Sequence, residues 1–275
     1  MVAGAVLVYD GPVRWLKRRA MEKVRYQDML PHEIVARRRR FPAAFIGLGG
    51  LEWHGEHLAV GNDALKAEKL CELAAAASGG FAMPTIWYGE PRTTRLMEAN
   101  HNKNGLITDK MELPAANFTT RHFGISEADQ VAFYQQLIYH VLVQMNTLGM
   151  KAVCFLSGHY PLKEWVDKAI ARFHRVRRFS GTRAYCGIEF HYADHPKVGG
   201  DHAGHWETSY LWYLRPDCVD LSVFLGRQDE PLVGVGGKDP RKFASVELGR
   251  SACRRIVRSM VAKAHRLIAE VGGKA

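Results

Sequence analysis

Short apolar runs separated by helix-period stretches set the plan of this chain. Residues 43–49, Ala-Ala-Phe-Ile-Gly-Leu-Gly, form a continuous apolar run of strand length, the pattern of a strand covered on both faces. Residues 81–88 read as a second strand, with Pro84 marking an edge or a bend. Residues 151–156 and 182–190 are the next two. Between them, residues 64–77 carry Leu65, Leu70 and Leu73 at helical spacing and stop at Ser78-Gly79-Gly80. Ser126-Glu127-Ala128-Asp129 opens a long helix in the manner of a capping box, with Asp in place of Glu. Val131, Leu137, Ile138, Val141, Leu142, Met145 and Leu148 form its apolar stripe, and Gly149 closes it. Residues 162–179 and 244–271 are further helices, and a short one ends at Leu214. Residues 14–25 read as a basic, partly amphipathic helix, and residues 1–9 as a strand or arm. Leu30-Pro31-His32-Glu33 restarts the chain toward the first core strand. Residues 219–225 read as extended, and 234–237 as a mobile loop. This alternation predicts an α/β fold in three layers, αβα, around a mostly parallel central sheet. One domain over residues 1–275 with an N-terminal arm of about 33 residues is expected. Residues 90–117 lack periodicity, and a stretch of that length commonly serves as a lid or an oligomer contact.

Composition narrows this picture little. At 275 residues and 47% hydrophobic content, the chain can bury a full core. Its five cysteines are odd in number, widely spaced and without a Cys-x-x-Cys pair, so free thiols in a reducing, cytoplasmic compartment are expected. No membrane span is expected. The net charge of +10 includes runs at Arg37–Arg40 and at Arg172, Arg175, Arg177 and Arg178. A nucleic-acid surface, a solvated helix face and attraction of an anionic substrate all explain such runs. No nucleic-acid module accompanies them, so nucleic acid is not the expected partner. Salt-dependent retention on DNA or RNA would mark that alternative.

Chemistry enters at three loops, each leaving an expected strand. The first, residues 52–63, offers Glu52, His54 and Asp63, a mixed nitrogen and oxygen set that suits zinc, manganese or iron. The second offers His159, and the third His202, His205 and Glu207. In a parallel sheet all three open at the same end, where sites in α/β proteins are built. Taken singly, each has a plain reading as a surface histidine, an ordinary turn, or an acid favoured by a helix N-terminus. Trp53, Tyr160 and Trp206 adjoin these residues and either line a substrate pocket or pack around the loops.

These motifs resemble the creatininase (creatinine amidohydrolase) family. Gly49 through Asp63 matches its Gly-x-x-Glu-x-His-Gly-x-His-Leu-Pro-x-x-x-Asp loop, Ser157-Gly158-His159 its Asn-Gly-His turn, and His202 through Ser209 its His-Ala-Gly-x-x-Glu-Thr-Ser segment. The resemblance implies a creatininase-like fold and a metal-dependent amidohydrolase with one or two Zn, Mn or Fe ions per subunit. It implies that Glu52, Asp63 and His159 hold one metal, and that His54 and a bridging Asp63 hold the second. His202 matches the histidine of proton transfer or substrate contact. Glu207 either ligates the second metal or fixes one of its ligands, with His205 a further candidate there. A small-molecule substrate and a homo-oligomer, commonly a hexamer, are also implied; Arg92, Arg95 and the net basic charge suit an anionic substrate, and a solvated surface explains them almost as well. Ala59, Trp53 and Ser157 depart from the pattern. Pro161 stands where true creatininases carry a metal-binding Glu, which points away from creatinine itself and toward another cyclic amide or a formamide. The alternative is a catalytically degenerate member that acts in binding or assembly. His101 is the one candidate to replace the family's further histidine segment.

Overall fold

The computed structural model describes residues 23–193 and 201–272. Residues 1–22 of the expected N-terminal arm, which hold all but the last residues of the basic helix at 14–25, lie outside them. β1 (Ala43–Leu48), β2 (Phe81–Ala82), β3 (Ala152–Ser157) and β4 (Arg183–Gly187) form one parallel sheet in the order β2-β1-β3-β4. β1 and β3 are buried throughout and pair from Ala43 with Ala152 to Leu48 with Ser157. Continuous apolar runs are what two covered faces demand.

Helices close both faces. On one, α2 (Asn62–Ser78), α5 (His205–Leu214) and α6 (Val246–Glu270) enclose Ala43 and Phe45 with Leu70, Tyr210, Ile256 and Met260. On the other, α3 (Glu127–Thr147) and α4 (Leu162–His174) enclose Ile46 and Phe155 with Tyr134, Ile138 and Trp165. The three expected layers are present. Ser126 caps α3, accepting the Asp129 amide at 3.1 Å.

Several expected elements differ. β2 is much shorter than 81–88, because Pro84 has no N–H for the ladder, and only an isolated bridge joins Leu48 to Ile86 beyond it. β4 ends at Gly187, and residues 189–193 turn into a short helix that carries Glu189 away from the sheet. The helix after His159 stops at His174, with a 3-10 turn at Arg177–Phe179. Residues 221–224 are a 3-10 turn rather than extended, because Asp220 Oδ1 captures the Ser222 amide at 2.8 Å. The glycine loop 234–237 is seated, since Gly236 exchanges backbone hydrogen bonds with His202. Residues 90–117 fold into short helical turns, among them Met97–Asn100 and Leu106–Lys110.

The restart at Pro31 is itself a helix, α1 (Pro31–Arg40), with Glu33 reaching back to the Leu30 amide at 2.6 Å. Its arginine run is partly structural. Arg37 is buried and donates to the carbonyls of Ala75 and Gly80 at the end of α2, at 2.8 and 2.6 Å. Arg38 donates to Leu148 after α3 at 3.0 Å. Cations at helix C-termini satisfy carbonyls that the helix leaves free. All five cysteines are free thiols, four of them buried. No helix among the described residues is long and apolar enough to cross a membrane.

Candidate metal centre

The carboxyl ends of β1, β3 and β4 release the loops that build the site. β1 is followed by Glu52 and His54, β3 by His159, and β4 by Glu189. Asp63 lies in the first turn of α2 and Glu207 in the first turn of α5, where the helix dipole favours a carboxylate. All six side chains are buried. The short helix Met97–Asn100 braces the first loop. The Met97 amide donates to Glu52 Oε1 at 2.7 Å, and Glu98 Oε1 accepts the Trp53 amide at 2.9 Å.

Two ligand sets meet at Asp63. In the first, His159 Nδ1 lies 2.9 Å from Glu52 Oε2 and 3.2 Å from Asp63 Oδ2. Both of those oxygens are buried and receive no hydrogen bond. Bare carboxylate oxygens around one imidazole nitrogen suit a divalent cation. Glu52, Asp63 and His159 are therefore a set that could hold a metal, as are His54, Asp63 and Glu207. In the second set, His54 Nε2 faces Asp63 Oδ1 at 3.0 Å and Glu207 Oε2 at 3.6 Å. His54 Nδ1 is 3.0 Å from the Glu52 carbonyl, which can only accept, so Nδ1 carries the proton.

Lys66 and Glu189 join the site without having been read from the sequence. Lys66 is wholly buried one helical turn after Asp63. Its ammonium contacts Glu207 Oε1, lies 3.2 Å from Asp63 Oδ1 and 3.4 Å from Glu189 Oε1, and faces the Tyr160 ring at 5.6 Å. Burial alone would pull its pKa down, but Glu189, Glu207 and Asp63 outweigh burial and hold it well above the usual lysine value. The same contest raises His54 to about 9, where Asp63 overrides burial, and His159 to about 10, where Glu52 does. Asp63 is held well below the usual carboxylate value by His54 and Lys66 against burial. Burial pushes Glu189 up to about 7.

The third loop divides. His202 stacks on His54 with ring centroids 4.3 Å apart, and its Nε2 donates to the Trp53 carbonyl at 2.7 Å. With Glu52 and His54 it forms a further potential ligand group. Burial, then the charge on His54, lower its pKa. His205 turns away, with Nδ1 3.1 Å from Asp201 Oδ2, and belongs to none of the ligand groups. Asp201 caps α5, accepting the Gly204 and Trp206 amides at 2.9 and 3.0 Å. Trp206 is half-buried beside Tyr210. Trp53 is buried and donates to the Val233 carbonyl at 2.9 Å. His101 is exposed at the end of its short helix. Arg92 and Arg95 are engaged by Glu90 at 2.6 Å and Glu164 at 3.2 Å.

The sequence profile of the creatininase family, described as creatinine amidohydrolase, matches residues 27–100 and 113–263. The chain belongs to the creatininase family. Creatinine amidohydrolase of Pseudomonas putida is 23% identical over 189 residues, 63% of this chain and 65% of that enzyme. The chain thus matches just under two thirds of that relative's length. Among solved structures, a creatinine amidohydrolase (creatininase) superposes with a TM-score of 0.66 at 18% identity, covering 88% of this chain and 97% of that one. A structure titled creatininase Mn gives 0.64 at 20%, covering 89% and 98%. A mutant creatininase of Zn-Zn type gives 0.65 at 19%, also covering 89% and 98%. At these identities the structural likeness concerns the fold of this creatininase-family chain.

Proposed function

We propose that this creatininase-family chain is a metal-dependent amidohydrolase that cleaves a non-peptide C–N bond, in a cyclic amide or a formamide, of a small molecule. The observation that carries the reading is the pair of bare buried oxygens, Glu52 Oε2 and Asp63 Oδ2, beside His159 Nδ1. Relatives titled with Mn and with Zn support a divalent ion of that kind.

Glu52, Asp63 and His159 would hold the ion. When bound, it supplies Lewis-acid polarisation of the carbonyl and a water acidic enough to attack near neutral pH. The Met97 amide holds Glu52 in place. His202 handles the proton. Its Nε2 is committed to the Trp53 carbonyl, so Nδ1 is left to take a proton from the attacking water and return it to the departing nitrogen. Burial favours the neutral ring that this role needs. Glu207, fixed by the Ala203 amide at 2.7 Å, steadies the far side of Asp63 through Lys66. Tyr160 and Trp53 wall the site, and assembly into a homo-oligomer accompanies this reading.

The test is metal content per subunit of protein purified without chelator, beside Asp63→Ala, followed by a hydrolysis screen of cyclic amides and formamides. Bound Zn, Mn or Fe that is lost in Asp63→Ala, with turnover of at least one such amide, is the expected result. Protein that takes up no metal on reconstitution overturns the reading in favour of a binding or assembly role.

A further inference from the structure

The two ligand sets at Asp63 are not equivalent. On the His159 side, Glu52 Oε2 and Asp63 Oδ2 face only the imidazole nitrogen of His159, which can itself serve as a metal ligand. On the His54 side, every oxygen already has a donor. Asp63 Oδ1 receives Lys66 Nζ at 3.2 Å and Asn62 Nδ2 at 3.3 Å, and faces His54 Nε2 at 3.0 Å. Glu207 Oε1 receives Lys66, and Glu207 Oε2 receives the Ala203 amide at 2.7 Å. Pro161, in the turn after His159, has no side-chain donor to add.

Lys66 has no exposure, and its helix position directs it between Asp63, Glu207 and Glu189. Buried carboxylates in such a cluster require a cation, and here the chain supplies one covalently. An ammonium on the same oxygens also repels a divalent ion that would share them. We propose that the Lys66 ammonium takes the place of a second metal, so that the chain binds one divalent ion per subunit, at Glu52, Asp63 and His159. This rests on the metal-dependent reading above and deepens it. Lys66 is a positioning residue, which holds Asp63 and Glu207 as a second metal would.

The experiment loads the full-length protein with excess Mn²⁺, removes free ion by desalting, and measures Mn per chain together with the EPR spectrum. One Mn per chain with the six-line signal of an isolated ion is expected. Two Mn with a spin-coupled spectrum overturn the inference and leave the metal-dependent function standing. No bound Mn, nor Zn or Fe in the same assay, overturns both. Lys66→Gln, shown to be folded by circular dichroism, is expected to rise toward two Mn per chain. A folded Lys66→Gln that stays at one overturns the assignment to Lys66. Should that variant not fold, Lys66→Arg keeps the charge and is expected to stay at one, and a second Mn there overturns the assignment.

Discussion

His57 lies just outside the candidate metal centre, with Nε2 2.9 Å from Thr208 Oγ1. Burial, and then the charge on His54, push its pKa down to about 4. The unfolded chain protonates a histidine near ~6.5, so below that pH it takes up a proton that the folded chain refuses. Stability from His57 is full above ~6.5 and is lost as pH falls toward 4. Urea titrations at pH 7 and 4.5 should therefore show wild type losing roughly 2 kcal/mol more than His57→Gln over that interval; equal losses would sink the assignment. His202→Gln should lower kcat about 100-fold or more while metal content is unchanged. Loss of metal there would make His202 a ligand instead. Glu52, His54, Asp63, His159 and Glu207 can be picked out as candidates from the sequence because each sits in a short loop or first turn beside an obvious strand or helix. Lys66 and Glu189 were not legible, because they reach the cluster only through packing. A signal for Lys66 did exist, as a lysine on the buried stripe of a helix that starts at a ligand. The leucines hid it: Leu65 and Leu73 are only half-buried, and the covered stripe consists of Ala64, Ala67, Leu70, Cys71, Ala74 and Ala75.

Those small residues let α2 settle close to the sheet, and two glycines seat its first turn. A Cβ on Gly158 would stand 2.1 Å from the Asp63 carbonyl oxygen, and one on Gly49 2.3 Å from the Ala64 nitrogen. Both contacts are with backbone, which cannot swing aside. Gly158→Ala should thus displace the turn that carries Asp63, lowering stability by about 1–3 kcal/mol and weakening metal binding along with it. Thermal unfolding and metal titration on one preparation check this, and an unshifted metal affinity would separate the glycine from the site. At this scale the buried strands and long helices were legible from periodicity. The short elements were not, because single local contacts decide them: Pro84 in β2, Asp220 at the 221–224 turn, and the His202 pairing of Gly236.

Across the whole molecule, the parallel sheet gathers the site at one rim, and metal should link to global stability. Under the proposed metal-dependent reading, chelation would leave buried carboxylates without their cation. At free metal about 100-fold above Kd the bound ion adds about 2.7 kcal/mol, so chelation should lower Tm by roughly 5–10 °C. Differential scanning calorimetry with and without chelator tests this; an unchanged Tm would argue that the site is empty in the native protein. An open groove lined by Leu51, Tyr88, Phe123, Ile125 and Phe133 suits the oligomer contact of the proposed assembly, with Tyr88 74% and Phe133 60% exposed. Phe133→Glu should reduce the mass found by light scattering from oligomer toward monomer, and a wild-type monomer would remove the need for the contact.

The rim opposite the site is built differently. There α1 enters β1, Arg37 and Arg38 tie down helix ends, and His265 of α6 lays its ring 4.7 Å from that of Phe41. α6 begins beside Ser209, whose Oγ accepts the Ser245 amide at 3.0 Å, and its 25 residues carry it about 37 Å along its axis. Its final turns therefore lie on the far side from the candidate metal centre. Joined there, a reporter protein or an electrode tether would hold the molecule with its chemical face outward, which gives a biosensor layer a defined orientation.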